Sequence, residues 1–223
     1  MVLTYHTDED IQTDVLEELA WDTSVRPNEI GVVVKNGIVT LTGWVDTYVK
    51  KMAVQDAAHR VRQVKAVAND IEIRLPSSSE RTDTDLAGAV LNALHWDAAI
   101  STDKLDVTVS KGWVTLKGEV EHGFQKVDAT RAVSRLAGVK GMSNQIIVKP
   151  LLVAADLQQK IEKALVRNAE FDAKHINIEV HNGLVVLKGS VRSYAEKRAA
   201  EQSVMLAPGV TSIDNSITIV PAI

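Results

Sequence analysis

The sequence predicts an α+β protein made of three tandem αββαβ domains, each a small mixed β-sheet with two helices on one face. Three observations carry this. The stretch Asn36-Gly37-Ile38-Val39-Thr40-Leu41-Thr42-Gly43 recurs at 111–118 and again at 182–189. The first glycines, Gly37, Gly112 and Gly183, are offset by 75 and then 71 positions. The sets Asp10/Asp85/Asp156, Leu19/Leu94/Leu165 and Asn69/Asn144/Asn215 keep the same offsets. Within each copy, helical and extended periodicities follow one another in the same order. A repeat this long is a domain, not a solenoid turn, whose periods run about 20–50 residues. The copies occupy 8–75, 82–149 and 153–221, and the difference in offset lies in the linkers.

Each copy opens with a helix, at about 10–21, 85–96 and 156–167. Apolar residues recur at Ile11, Val15 and Leu19, then at Leu86, Val90 and Leu94, then at Leu157, Ile161 and Leu165. That spacing lines one helical face. Acidic residues crowd the first turn of the first copy, where the helix dipole favours them. Trp21 and Trp96 end this helix in two copies and are expected to pack against the core edge. A strand follows, with β-branched and aliphatic residues alternating at 30, 32 and 34, at 105, 107 and 109, and at 176, 178 and 180. Strict alternation buries one face.

Asn36-Gly37 and Asn182-Gly183 are type I′ hairpin pairs, because both central residues need positive φ. Lys111-Gly112 is a weaker version. The second strand carries Val39, Leu41 and Val45 inward. Gly43 between them implies a bulge or the close approach of a helix. Helix 2 is expected at about 48–62, 123–137 and 194–207, with a stripe at Val54, Ala57, Ala58 and Val61 whose small residues bring it close to the sheet. Gly138 and Gly209 are C-cap glycines. The first copy has Gln63 there, so its helix end should differ. The last strand spans 67–73 and its equivalents. Its asparagines fall on the inward parity, as buried amides satisfying backbone groups. The first linker, 75–82, is polar and turn-rich and reads as flexible. The second, 149–155, is apolar and reads as buried, docking the second domain on the third.

The chain has 223 residues, 45% hydrophobic and 24% charged, a globular composition. Domains of roughly 70 residues sit near the lower limit for independent folding, so contacts between them should add stability. A net charge of −4 argues against nucleic acid as partner. With no cysteine, thiol chemistry and disulfides are excluded. No apolar run reaches the ~18 residues of a spanning helix. Residues 1–10 lack a basic n-region and an apolar h-region. That points to the cytoplasm, or to the periplasm if this N-terminus is a processed one. No phosphate loop, dinucleotide fingerprint, nucleophile elbow or zinc-protease motif occurs, so the chain reads as non-enzymatic, with no cofactor and no metal site.

The hairpin core, Val-x-Val-x-Asn-Gly-x-Val-x-Leu-x-Gly-x-Val, and the closing Gly-Val-x-x-Ile-x-Asn-x-Ile-x-Ile of 209–219 resemble the BON domain, named for bacterial osmotically inducible and nodulation proteins. The resemblance covers about 8–221. It implies attachment to phospholipid membranes, envelope maintenance and a role in osmotic stress.

The residues that fit lipid contact gather at the entrance to helix 2. Lys51, Lys126 and Lys197 share one position there, either reaching lipid phosphates or covering the sheet edge with their stems. Trp44, Tyr48, Phe124 and Tyr194 cluster there, where amphipathic aromatics suit a membrane interface and equally a contact between domains. Arg192 and Arg198, with Lys188 and Lys197 beside Tyr194, make the third domain the expected contact for anionic lipid. Asp10, Asp14, Glu17 and Glu18 would repel the first domain from the same surface. His175, Asn177, Glu179 and His181 share one outward strand face without equivalents in the other copies. The expected partner is a phospholipid surface; the alternative is another protein, with the chain a soluble adaptor or chaperone-like factor. The oligomeric state is left open.

Overall fold

The structure, a computed structural model, describes residues 7–23, 25–79, 81–97, 100, 102–150, 156–167 and 175–220. The first helices are α1 (Asp8–Trp21), α3 (Asp83–Trp96) and α5 (Leu157–Arg167). α1 and α3 start two residues before the leading Asp10 and Asp85. The cause is a cap: the Thr7 hydroxyl accepts from the Asp10 N–H, and the Asp10 carboxylate accepts from the Thr7 N–H at 2.8 Å. Thr82 caps α3 through the Asp85 N–H in the same way. Ile11, Val15 and Leu19 are buried, as are their counterparts in α3 and α5. Trp21 and Trp96 do not pack on the core edge as expected; they are 85% and 84% exposed. Each lies two residues beyond the last core leucine, about 200° around the helix from it, and so faces away.

The sheets comprise β1 (Ile30–Lys35), β2 (Ile38–Val45), β3 (Ala66–Asn69) and β4 (Glu72–Ile73) in the first domain. The second has β5 (Leu105–Ser110), β6 (Trp113–Val120) and β7 (Gly141–Val148); the third has β8 (Ile176–His181), β9 (Leu184–Val191) and β10 (Ser212–Ile219). In every domain the second strand is central, antiparallel to the first and parallel to the last. The last strand of the first domain breaks at Asp70, and both pieces pair with β2. The hairpins are alike. Asn36, Lys111 and Asn182 have φ of 56°, 53° and 50°, and the glycines that follow are also positive. The weaker Lys-Gly pair therefore adopts the same turn.

Gly43 is neither a bulge nor a helix contact. Its φ is 115°, and a Cβ there would lie 2.0 Å from the Glu29 carbonyl oxygen, where the chain enters β1. Gly118 stands in the same relation to Lys104 and Gly189 to His175.

The crossover helices are α2 (Tyr48–Arg60), α4 (Gly123–Ser134) and α6 (Tyr194–Met205). Each covers the same sheet face as the first helix of its domain, and three separate cores result. The turn after α2 resembles the others despite its different sequence. Gln63 takes φ 64° where Gly138 and Gly209 take 98° and 97°. The first linker forms one 3₁₀ turn, Ser77–Ser79, closed by a bond from the Ser79 N–H to the Pro76 carbonyl at 2.7 Å, with Ser77 and Ser78 exposed. The apolar stretch of the second linker, 151–155, lies outside the described residues.

The three domains meet through their crossover helices. Tyr48, Gly123 and Tyr194 are equivalent first residues; His59, Ser134 and Met205 are equivalent residues near the far end. Tyr48 packs against the core of the second domain. Gly123 sits on Met205, so closely that a Cβ would be 2.1 Å from its carbonyl oxygen. Tyr194 stacks on His59, with ring centroids 3.7 Å apart and planes 16° from parallel, and Arg198 pairs with Asp56 beside it. One head-to-tail relation thus runs from domain one to two, two to three and three to one. A heterologous contact whose rotation closes makes a ring; here the ring closes within one chain.

Candidate functional site

The helix 2 entrance is built around a clamp between helix 2 and the last strand. The Asn69 amide donates to the Lys51 carbonyl at 3.3 Å and to Gln55 Oε1 at 3.1 Å, and its oxygen accepts from the Ile71 N–H at 3.3 Å. Asn144 repeats this with Lys126, Thr130 and Ile146, at 2.9, 2.7 and 3.0 Å. Asn215 does so with Lys197, Glu201 and Ile217. The amides satisfy backbone groups as expected, but they are half-buried, not buried.

The lysines close the same clamp. Lys51 Nζ donates to the Ile71 carbonyl at 2.8 Å and Lys197 Nζ to the Ile217 carbonyl at 2.7 Å. Lys126 is half-buried, and burial lowers its pKa. The remaining cations of the expected third-domain patch are held inside the chain. Arg192 Nε binds Glu196 Oε1 at 2.9 Å, Lys188 Nζ binds Glu179 at 2.8 Å, and Arg198 binds Asp56 across the domain seam. Lys188, Arg192 and Arg198 are thus each paired with a carboxylate while their side chains stay open to solvent. Tyr48 and Tyr194 are domain-contact residues, and burial raises the Tyr48 hydroxyl pKa. Trp44 is half-buried on the sheet face, with the Arg74 guanidinium 5.7 Å from its ring.

What remains open lies elsewhere. Trp21 and Trp96 stand free at equivalent helix ends, and the third copy has Arg167 there. Around Trp21 a shallow groove is lined by Asp14, Glu17, Glu18, Val61 and Arg62. The shared offset of the two tryptophans was legible; their exposure was not, since it depends on where the core stripe ends. The outer sheet faces are uncovered too. Val33 is 62% exposed and Trp113, which lies over Gly141, is 52% exposed. On the third sheet, Lys188 occupies Glu179 and holds its carboxyl below the usual range. Among the described residues no three His, Asp or Glu side chains are grouped to hold a metal.

One further pair, Asp8 and Asp83, keeps the repeat offset in two copies only. The Asp8 carboxylate accepts from the Asn36 and Gly37 N–H groups at 2.7 and 2.9 Å, tying the start of α1 to the hairpin turn. Asp83 holds Lys111 and Gly112 at the same distances. These bonds lower both carboxyl pKa values, the glycine bond most. The signal available was the offset of 75 between them; the third copy has Ala154 instead.

The BON domain family model matches residues 7–74, 82–150 and 154–221. Osmotically-inducible protein Y of Escherichia coli (strain K12) is 26% identical over 143 residues, which cover 60% of this chain and 71% of that protein. Two solved structures of CdsD, a structural protein of the type III secretion system of Chlamydia trachomatis, align at 14% identity with TM-scores of 0.27. They cover 96% and 95% of this chain, and 93% and 98% of theirs. The chain belongs to the BON domain family.

Proposed function

We propose that this BON domain protein is a non-enzymatic docking module that attaches to phospholipid surfaces, in the osmotic-stress setting named by its similarity to osmotically-inducible protein Y. The observation that carries the reading is the pair of free indoles, Trp21 and Trp96, at one position of two domains. An indole has an apolar body and one N–H donor, which suits the headgroup boundary of a bilayer. If each buries on the order of 100 Å² there, the two contribute roughly 5 kcal/mol before ordering costs. That gives weak, reversible attachment. Charge contributes little, because Arg192 and Arg198 pair with Glu196 and Asp56 and because Asp14, Glu17 and Glu18 flank Trp21. Neutral vesicles should therefore bind at least as well as anionic ones.

Co-sedimentation with neutral and anionic vesicles tests this. The chain should pellet with neutral vesicles and lose binding on Trp21→Ser with Trp96→Ser, with its circular dichroism unchanged. Equal pelleting of the double variant, or none by the parent chain, would defeat the reading. The acidic rim of the Trp21 groove favours one second reading, a basic polypeptide segment as occupant. An adaptor of that kind would bind such a peptide and ignore vesicles.

A further inference from the structure

We propose that the seam between the first and third domains is a proton-operated latch: neutral His59, lying flat on Tyr194, holds the ring shut, and protonated His59 opens it. This goes beyond the docking reading and does not depend on it.

Among the described residues His59 is the buried polar side chain, 7% exposed, in a core otherwise apolar. Its Nδ1 is buried with no hydrogen-bond partner. A buried nitrogen of this kind is costly and calls for a reason. The seam offers one. His59 comes from α2 and Tyr194 from the first turn of α6, and their rings stack over the contact that joins the chain's non-consecutive domains. The charged groups around them are already matched. Asp56, on the same helix as His59, is bound by Arg198 of α6. Arg60, also on α2, is bound by Glu18 of α1 at 2.6 Å. The other α6 residues lining the seam, Ala195, Ala199 and Gln202, carry no charge.

A proton on His59 therefore adds a cation beside Asp56, whose carboxylate is already engaged by Arg198. It also forces a charged ring to stay out of water. Burial is the largest cause and lowers the pKa of His59; Asp56 opposes it, and Arg198, the smallest of the three, lowers it further. The sign follows. In the open ring the imidazole meets water and titrates near its ordinary value of about 6.5. The open form then binds the proton more tightly than the closed one. Closure is complete above that pH and weakens as pH falls below it, by up to tenfold per unit until the lowered pKa of the closed form is reached. Opening separates the first and third domains while the contacts of Tyr48 and Gly123 keep the chain of domains connected. It also frees Tyr194 and Arg198.

The chain has no cysteine, so Lys35→Cys with His181→Cys places one dye in the first domain and one in the third. Energy transfer between them should fall as pH drops from about 7.5 to about 5.5. With His59→Phe added, which keeps a ring against Tyr194 and takes no proton, transfer should hold its neutral-pH value. An unchanged signal in the parent, or the same fall in the His59→Phe chain, overturns the latch. A second measurement needs no variant. In imidazole NMR of the unaltered chain, the histidine with cross-relaxation to Tyr194 should titrate below the others. An ordinary or raised pKa for that ring overturns the proposal as well.

Discussion

Asp8 and Asp83 each hold two backbone amides of a hairpin turn with one carboxylate. Their folded pKa values are lowered, so the bonds add stability above the unfolded carboxyl range, near 3.9, and that stability is lost as pH falls through the lower folded values. Acid unfolding followed from pH 5 to pH 2 should be less steep in Asp8→Ala with Asp83→Ala than in the parent chain. Gln63 gives a second expectation. A side chain held at φ 64° costs about 1 kcal/mol that glycine avoids. Gln63→Gly should therefore stabilise the first domain by up to about 0.6 kcal/mol, read as a small rise in its urea midpoint, once the ~0.4–1 kcal/mol of glycine's greater unfolded freedom is counted. At this scale the sequence was informative where a residue acts on its own backbone. Asn36 and Lys111 announce their turns, and Gln63 announces the missing glycine. It was silent where a residue acts at a distance. Nothing local marks Asp8 as partner to a turn 28 positions away.

The helix and strand order was legible because each element repeats three times and its apolar period is clean. The inward parity of Asn69, Asn144 and Asn215 was legible too, but not what they bind. The clamp joins a strand to helix 2 through carbonyls at 51, 126 and 197, and a backbone carbonyl leaves no trace in residue type. The lysines share a partner of the same kind: the Lys51 and Lys197 ammonium groups each donate to a carbonyl of the closing segment of their own domain. Asn144→Ala deprives the Ile146 N–H of its side-chain acceptor, while the Lys126 carbonyl keeps the Thr130 hydroxyl at 3.1 Å, at a cost of about 1–3 kcal/mol. A midpoint shift in chemical denaturation confined to the second domain would show it. An effect within error would mean that water replaces the amide without loss.

At the scale of the whole molecule, Tyr48 and Tyr194 at the helix 2 entrances join domains, whereas Trp44 stays on its own sheet face. The ring itself leaves no mark in the sequence. Arg198 and Asp56 are 142 positions apart, and Gly123 reads as a poor helix start, not as the space Met205 occupies. Gly123→Leu should push the second and third domains apart and enlarge the radius of gyration in small-angle scattering, with secondary structure unchanged. Ring closure also decides which surfaces remain for partners: the helix 2 entrances are largely consumed, and the ends of α1 and α3 are free.

Tryptophan emission against vesicles of brominated neutral phosphatidylcholine measures this division directly, because the chain holds four tryptophans, two on free helix ends and two on sheet faces. A chain carrying Trp44→Phe and Trp113→Phe, which reports from Trp21 and Trp96, should be quenched and blue-shifted on vesicle addition. A chain carrying Trp21→Phe and Trp96→Phe should show neither change. Quenching confined to Trp44 and Trp113, or absent from both chains, would contradict the account.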